Sequence, residues 1–143
     1  MPDILAVMNS TAGESRHIGI HIDSPVDAVY AYASDPAHLP EWAHGLGDSI
    51  EEIDGQWVAE SSPMGRVVVA FTPRNELGVL DHDVTLPSGE TVHNPVRVIA
   101  DGTGSEVVFT LRRRPGVSDA DFRRDADMVT ADLGRLRDLT ESA

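Results

Sequence analysis

Apolar and polar residues alternate from His17 onward. Ile18, Ile20 and Ile22 interleave with His17, Gly19 and His21, the two-residue period of a strand with one buried face. Asp23-Ser24-Pro25 then stops the strand. Ser24 suits a helix N-cap, Pro25 the first helical position, and Asp27 completes a capping box three residues after the serine. Val26, Val29, Tyr30 and Ala33 follow at helical spacing on one face. Asp35-Pro36 repeats the cap-plus-proline device, and Pro40 forces this second helical piece to break or restart at Leu39. Leu39, Trp42 and Leu46 share one side of it. The pattern predicts two short helices set at an angle, a V-shaped clasp that ends in Trp42 and in Gly45 and Gly47.

Strand patterns and turns alternate after the clasp. The predicted strands cover 48–53, 56–61, 66–72, 79–86, 91–100 and 105–112, about six in an antiparallel meander. Asp54-Gly55 is a strong hairpin turn, and 62–65, 73–78, 87–90 and 101–104 are the other connections. Ser118-Asp119-Ala120-Asp121 opens the last element with another capping box. Phe122, Ala126, Val129, Leu133 and Leu136 then form one apolar stripe on a helix of roughly 20–24 residues, about 30–36 Å long. Acidic residues early and arginines late in it suit the helix dipole. A helix of that length with one buried stripe needs a broad concave sheet to lie in.

The run IxIDSPVDAVYAYASDPAHLPEWAHGLG, followed by a meander and one long terminal helix, resembles the START-like, helix-grip (SRPBCC) superfamily in its bacterial polyketide cyclase/dehydrase and lipid-transport branch. The resemblance covers nearly the whole chain. It implies an α+β fold in which a curved antiparallel sheet of about seven strands wraps the C-terminal helix. Two short helices separate strands one and two, and a cavity lies between sheet and helix. It also implies that Trp42 stands near the mouth or floor of that cavity, with a plain core anchor as the alternative. It does not choose an activity, because carriers, receptors, enzymes and co-chaperone-like proteins share the fold.

Composition narrows the choices. At 143 residues the chain is one domain, read as a loose or accessory tail over residues 1–14, where Ile4–Met8 could pack, and a single unit over 15–143. The absence of cysteine excludes disulfides, thiolate zinc sites and cysteine nucleophiles. The first residues lack a basic, cleavable leader pattern and no apolar run reaches the roughly 20 residues of a membrane span, so a cytoplasmic location is expected. The 24 acidic residues face 11 basic ones, all arginine, for a net charge of −13. Long-range attraction to nucleic acid or anionic membranes is therefore not expected.

The candidate chemistry lies in polar residues on apolar strand faces. Six histidines invite metal, but their spacing does not: His17 and His21 are about 13 Å apart along one strand, and no HExxH-type cluster exists. No nucleophile elbow, phosphate loop or dinucleotide fingerprint appears, so no metal or cofactor is expected. His82 shares the apolar face of Leu80, Val84 and Leu86, and a histidine aimed into a cavity moves protons near neutral pH. A core histidine satisfied by a carbonyl is the alternative. Asn94 shares a face with Val92, Val96 and Val98, and Glu60 with Val58. The expected ligand wall is Trp42, Phe71, Leu80, His82, Val84, Asn94, Val96, Phe109, Val129 and Leu133. Arg112–Arg114 read as a solvated strand end, with pairing to the acidic first turn of the last helix or a rim that greets an anionic ligand as the alternatives, and Arg97 as an outward ion pair. The leading expectation is binding or carriage of a small hydrophobic or aromatic molecule, with room for a homodimer. The alternatives are a cyclase or dehydratase using His82 as acid/base and Asn94 to steady an enolate, and a protein-interaction module acting through the acidic surface.

Overall fold

A computed structural model describes residues 13–142. Strand β1 (Ser15–Ile22) is followed by helix α1 (Val26–Ala33), a 3-10 turn (Pro36–His38) and the one-turn helix α2 (Leu39–Trp42). The meander is β2 (Ser49–Ile53), β3 (Gln56–Ser61), β4 (Gly65–Phe71), β5 (His82–Thr85), β6 (Thr91–Asn94), β7 (Val96–Asp101) and β8 (Gly104–Arg112). Helix α3 (Asp119–Glu141) ends the chain with 23 residues. The expected tail over 1–14, with Ile4–Met8, lies outside the described residues except for Gly13 and Glu14. Glu14 is tied in: its carbonyl accepts the Arg113 N–H at 2.8 Å.

All pairings are antiparallel, in a three-stranded sheet β1-β8-β7 and a five-stranded sheet β2-β3-β4-β5-β6. The strand expected over 91–100 is therefore two strands, and the total is eight rather than about seven. Pro95 separates them, because a proline has no N–H to give a ladder. The facing segment bends at the same level: Val79 bridges to Arg97, whereas His82–Thr85 pairs with β4 and β6. One sheet thus folds into two walls along a line through Asp81 and Pro95. Asp81 pins that line, its carboxylate accepting the Val96 N–H at 2.9 Å and gripping the Arg97 guanidinium at 2.9 and 2.8 Å. Arg97 is the outward ion pair that the alternation predicted.

The clasp forms largely as its sequence directs. Asp35 caps the 3-10 turn by accepting the Ala37 N–H at 3.0 Å, and the helix restarts at Leu39 with Pro40 in its first turn. The capping box at Ser24 does not form. Pro25 is the cap, no side chain serves it, and the Ser24 carbonyl is taken by the buried Ser105 hydroxyl at 2.6 Å. On α3 the Ser118 cap does form, its hydroxyl accepting the Asp121 N–H at 3.1 Å. Phe122, Ala126, Leu133 and Leu136 of the predicted stripe are buried against the sheet, together with Ile22, Val29, Leu39, Val67 and Val107. Each large buried side chain contributes about 1.5–3 kcal/mol. Exposed ion pairs give at most about 1 kcal/mol each. The stripe, not the surface charge, holds the helix in its sheet.

Candidate functional site

The groove between the two walls, α3 and the clasp encloses a cavity of about 440 Å³. Trp42, Ala43 and Leu46 close it from the clasp, Val84, Val92, Phe109 and Leu111 from the sheet, and Met128, Val129 and Leu133 from the helix. Of the wall expected from sequence, Trp42, His82, Val84, Asn94, Phe109, Val129 and Leu133 line this space. Phe71, Leu80 and Val96 are not among the lining residues; Leu80 and Val96 are buried in the core. Glu60 points outward and approaches Arg66 at 3.9 Å, since Ala59 and Ser61 take the buried positions of β3.

His82 and Asn94 come together. They are register partners on β5 and β6, so their side chains leave the same face with Cβ atoms about 4.5–5.5 Å apart. His82 is 5 % exposed, and the Phe71 and Phe109 rings lie 5.1 and 6.2 Å from it. Its Nδ1 lies 3.1 Å from the Leu80 carbonyl. A carbonyl only accepts, so Nδ1 carries the proton and Nε2 presents a lone pair. Burial holds the imidazole below the ordinary histidine value, the Leu80 bond offsetting this only in part. The ring is therefore neutral at neutral pH. Nε2 has no hydrogen-bond partner among the described residues, nor has the Asn94 amide.

Two lining residues of the cavity, Asp132 and Met128, escaped the sequence reading. Asp132 lines it beside the clasp, pairs with Arg135, and lies beside the backbone amides of His44 and Gly45, which pull its carboxyl down. Burial raises its carboxyl above the usual carboxylate value, against the opposing pull of Arg135. The signal was present: Asp132 lies three residues after Val129 and one before Leu133, inside the arc that a wide helical face covers. Met128 also lines the cavity, with its Sδ where a Cβ on Gly45 would come within 2.6 Å. Finally, the mouth is charged. Arg112, Arg113 and Arg114 line it with Glu90 and Asp125. Arg114 pairs with Glu90, and Arg113 with Asp119 and Glu14, which realises the pairing with the acidic first turn of the helix. The Trp42 indole N–H is buried without an acceptor among the described residues. No three His, Asp or Glu side chains among the described residues converge to hold a metal ion.

The model of the family described as polyketide cyclase/dehydrase and lipid transport matches residues 15–141. The chain belongs to this family. The polyketide cyclase/dehydrase fold is shared by distant solved structures. The protein XoxI from Bacillus cereus superposes with a TM-score of 0.70 at 12% identity, over 88% of this chain and 94% of that one. Ara h 8.0201 does so with 0.65 at 14%, over 91% and 99%. A Thalictrum norcoclaurine synthase variant, solved with a transition-state analogue, does so with 0.59 at 14%, over 89% and 93%. No curated protein matches the sequence. As a member of the family the chain has a fold consistent with hydrophobic ligand binding or with cyclase chemistry. No helix among the described residues is long and apolar enough to cross a membrane.

Proposed function

We propose that the protein binds and carries a small hydrophobic or aromatic molecule in the cavity between its sheet and C-terminal helix. The observation that carries this reading is the cavity itself: about 440 Å³, within the ~300–1,000 Å³ of small-molecule sites. Around the convergent polar pair His82 and Asn94 its wall is apolar, made of Val84, Val92 and Phe109. Burying an apolar ligand there gains about 25 cal/mol per Å² before association costs. Trp42 lines the cavity and Trp57 does not, so indole fluorescence of a Trp57→Phe variant reports on the site alone. Saturable quenching by a small aromatic probe is expected. Native mass spectrometry of the freshly purified protein identifies any natural occupant. A clean apo mass together with no quenching by any probe sinks the reading.

A second reading is favoured by one observation: the Nε2 of a neutral His82, beside Asn94, has no hydrogen-bond partner among the described residues. In a cyclase, dehydratase or isomerase, that nitrogen takes a proton from carbon or oxygen of the substrate and Asn94 steadies the enolate. The relative named as a norcoclaurine synthase is an example of this fold in an enzyme. The two readings separate on one variant. His82→Ala in a carrier changes affinity alone, whereas in an enzyme it lowers turnover by about 10²–10⁴-fold while the fold stays intact.

A further inference from the structure

The polar pair sits among apolar neighbours, Val84, Val92 and Phe109, and its chemistry is one-sided. Leu80 fixes His82 with the proton on Nδ1, so Nε2 can only accept. Asn94, its register partner, offers both an acceptor oxygen and a donor NH₂. The group complementary to the two together is a hydroxyl: its O–H donates to Nε2 while its oxygen accepts from the Asn94 amide. An ether or ketone oxygen would set a lone pair against a lone pair. A carboxylate would bring an unpaired charge between the Phe71 and Phe109 rings that flank His82. A solvated lone pair must also have its bond replaced when an occupant displaces water.

On this basis we propose that the cavity selects molecules bearing a phenolic or enolic hydroxyl, held between His82 Nε2 and Asn94, over the matching ethers, ketones and hydrocarbons. This rests on the reading of the cavity as a ligand site and names the chemical class of its occupant. The hydroxyl is bound undissociated, with its proton pointed at a neutral base, so the same geometry holds a phenol as cargo or an enol as a reacting group.

The test compares 2-naphthol with 2-methoxynaphthalene, which share the ring and differ in the donor. Quenching of Trp42 in the Trp57→Phe background gives both affinities. The naphthol is expected to bind about tenfold tighter or better. In His82→Phe the preference disappears through loss of naphthol affinity, the ether being little changed. A measurement on the unmutated chain covers a variant that fails to fold. In protein labelled with ¹⁵N-histidine, naphthol should shift the Nε2 resonance of the one deeply buried imidazole, and methoxynaphthalene should leave it in place. Equal affinities, or an unmoved Nε2, overturn the hydroxyl proposal while leaving an apolar binding cavity standing. Binding of neither probe overturns both.

Discussion

Asp81 and Arg97 lock together across the line where the sheet folds into two walls, two guanidinium nitrogens meeting two carboxylate oxygens at 2.9 and 2.8 Å. The same carboxylate takes the N–H of Val96, the first donor after Pro95. Asp81 is 13 % exposed at its side chain, and the Arg97 bond draws its carboxyl below the ordinary aspartate value. Asp81→Ala should therefore cost about 2 kcal/mol in urea unfolding, and Asp81→Asn, which keeps one acceptor for Val96, about half of that. His82 follows Asp81 directly and Asn94 precedes Pro95, so the same variants should weaken aromatic-probe binding. Wild-type stability and affinity in Asp81→Ala would remove the pin from this account.

Gly45 and Met128 set the room available at the clasp. A Cβ on Gly45 would fall 2.6 Å from the Met128 sulfur, at the far end of a flexible side chain. Gly45→Ala is then cheap in stability because methionine can swing aside, but the space it swings into is the cavity. Bulky aromatic probes should lose affinity severalfold while small ones lose little. Adding Met128→Ala should restore the bulky ones. Uniform loss for every probe size, or no rescue, argues against steric control.

Two histidines give opposite pH dependences. His21, on the outer face of β1, is bonded at 2.8 Å to Asp101 through Nδ1 and at 2.8 Å to Asp23 through Nε2, and Glu106 is its register partner on β8. Both nitrogens donate only in the imidazolium, and the two carboxylates raise its pKa. Its contribution is present below the unfolded value of about 6.5 and is lost as pH rises through the higher folded value. His82 is held low by burial. Below about 6.5 the unfolded chain gains a proton that the folded chain does not, so stability falls as pH drops toward the folded value. Thermal melts should show His21→Gln flattening the alkaline limb and His82→Phe flattening the limb just below pH 6.5. An unchanged profile in either variant rejects its assignment.

Much of this site was legible because strands advertise their faces. His82 and Val84 alternate with Asp81 and Asp83, and Val129 and Leu133 lie on the helical stripe, so chain-local periodicity alone puts them on the faces that line the cavity. Phe71, Leu80 and Val96 also sit on apolar faces, yet a buried face and a cavity wall look alike in sequence. Only the spacing between layers tells them apart. The split at Pro95 was announced by the proline but masked by continuous valines on both sides. At Ser24 the capping box does not form: Pro25 is the cap residue, and the Ser24 carbonyl is held by Ser105. Asp132 was missed because a charge on a helix usually means water, and here it sits against the clasp, paired with Arg135.

That last contact gives the clasp its tether. The backbone amides of His44 and Gly45 lie beside Asp132 and pull its carboxyl down, and Arg135 both pairs with Asp132 and donates through Nε to the Trp42 carbonyl at 3.3 Å. Two side chains one helical turn apart thus hold the backbone that carries Trp42 over the cavity. Hydrogen bonds to a charged group contribute about 1.5–3 kcal/mol each. Asp132→Ala should then raise hydrogen exchange at the His44 and Gly45 amides by about tenfold or more, while amides of β3 and β4 keep their protection. A tether that limits entry also predicts faster association and faster release of an aromatic probe in the variant, with a smaller change in affinity than in either rate. Unaltered exchange at His44 and Gly45 would show that the clasp is held by the burial of Leu39 and Trp42 alone.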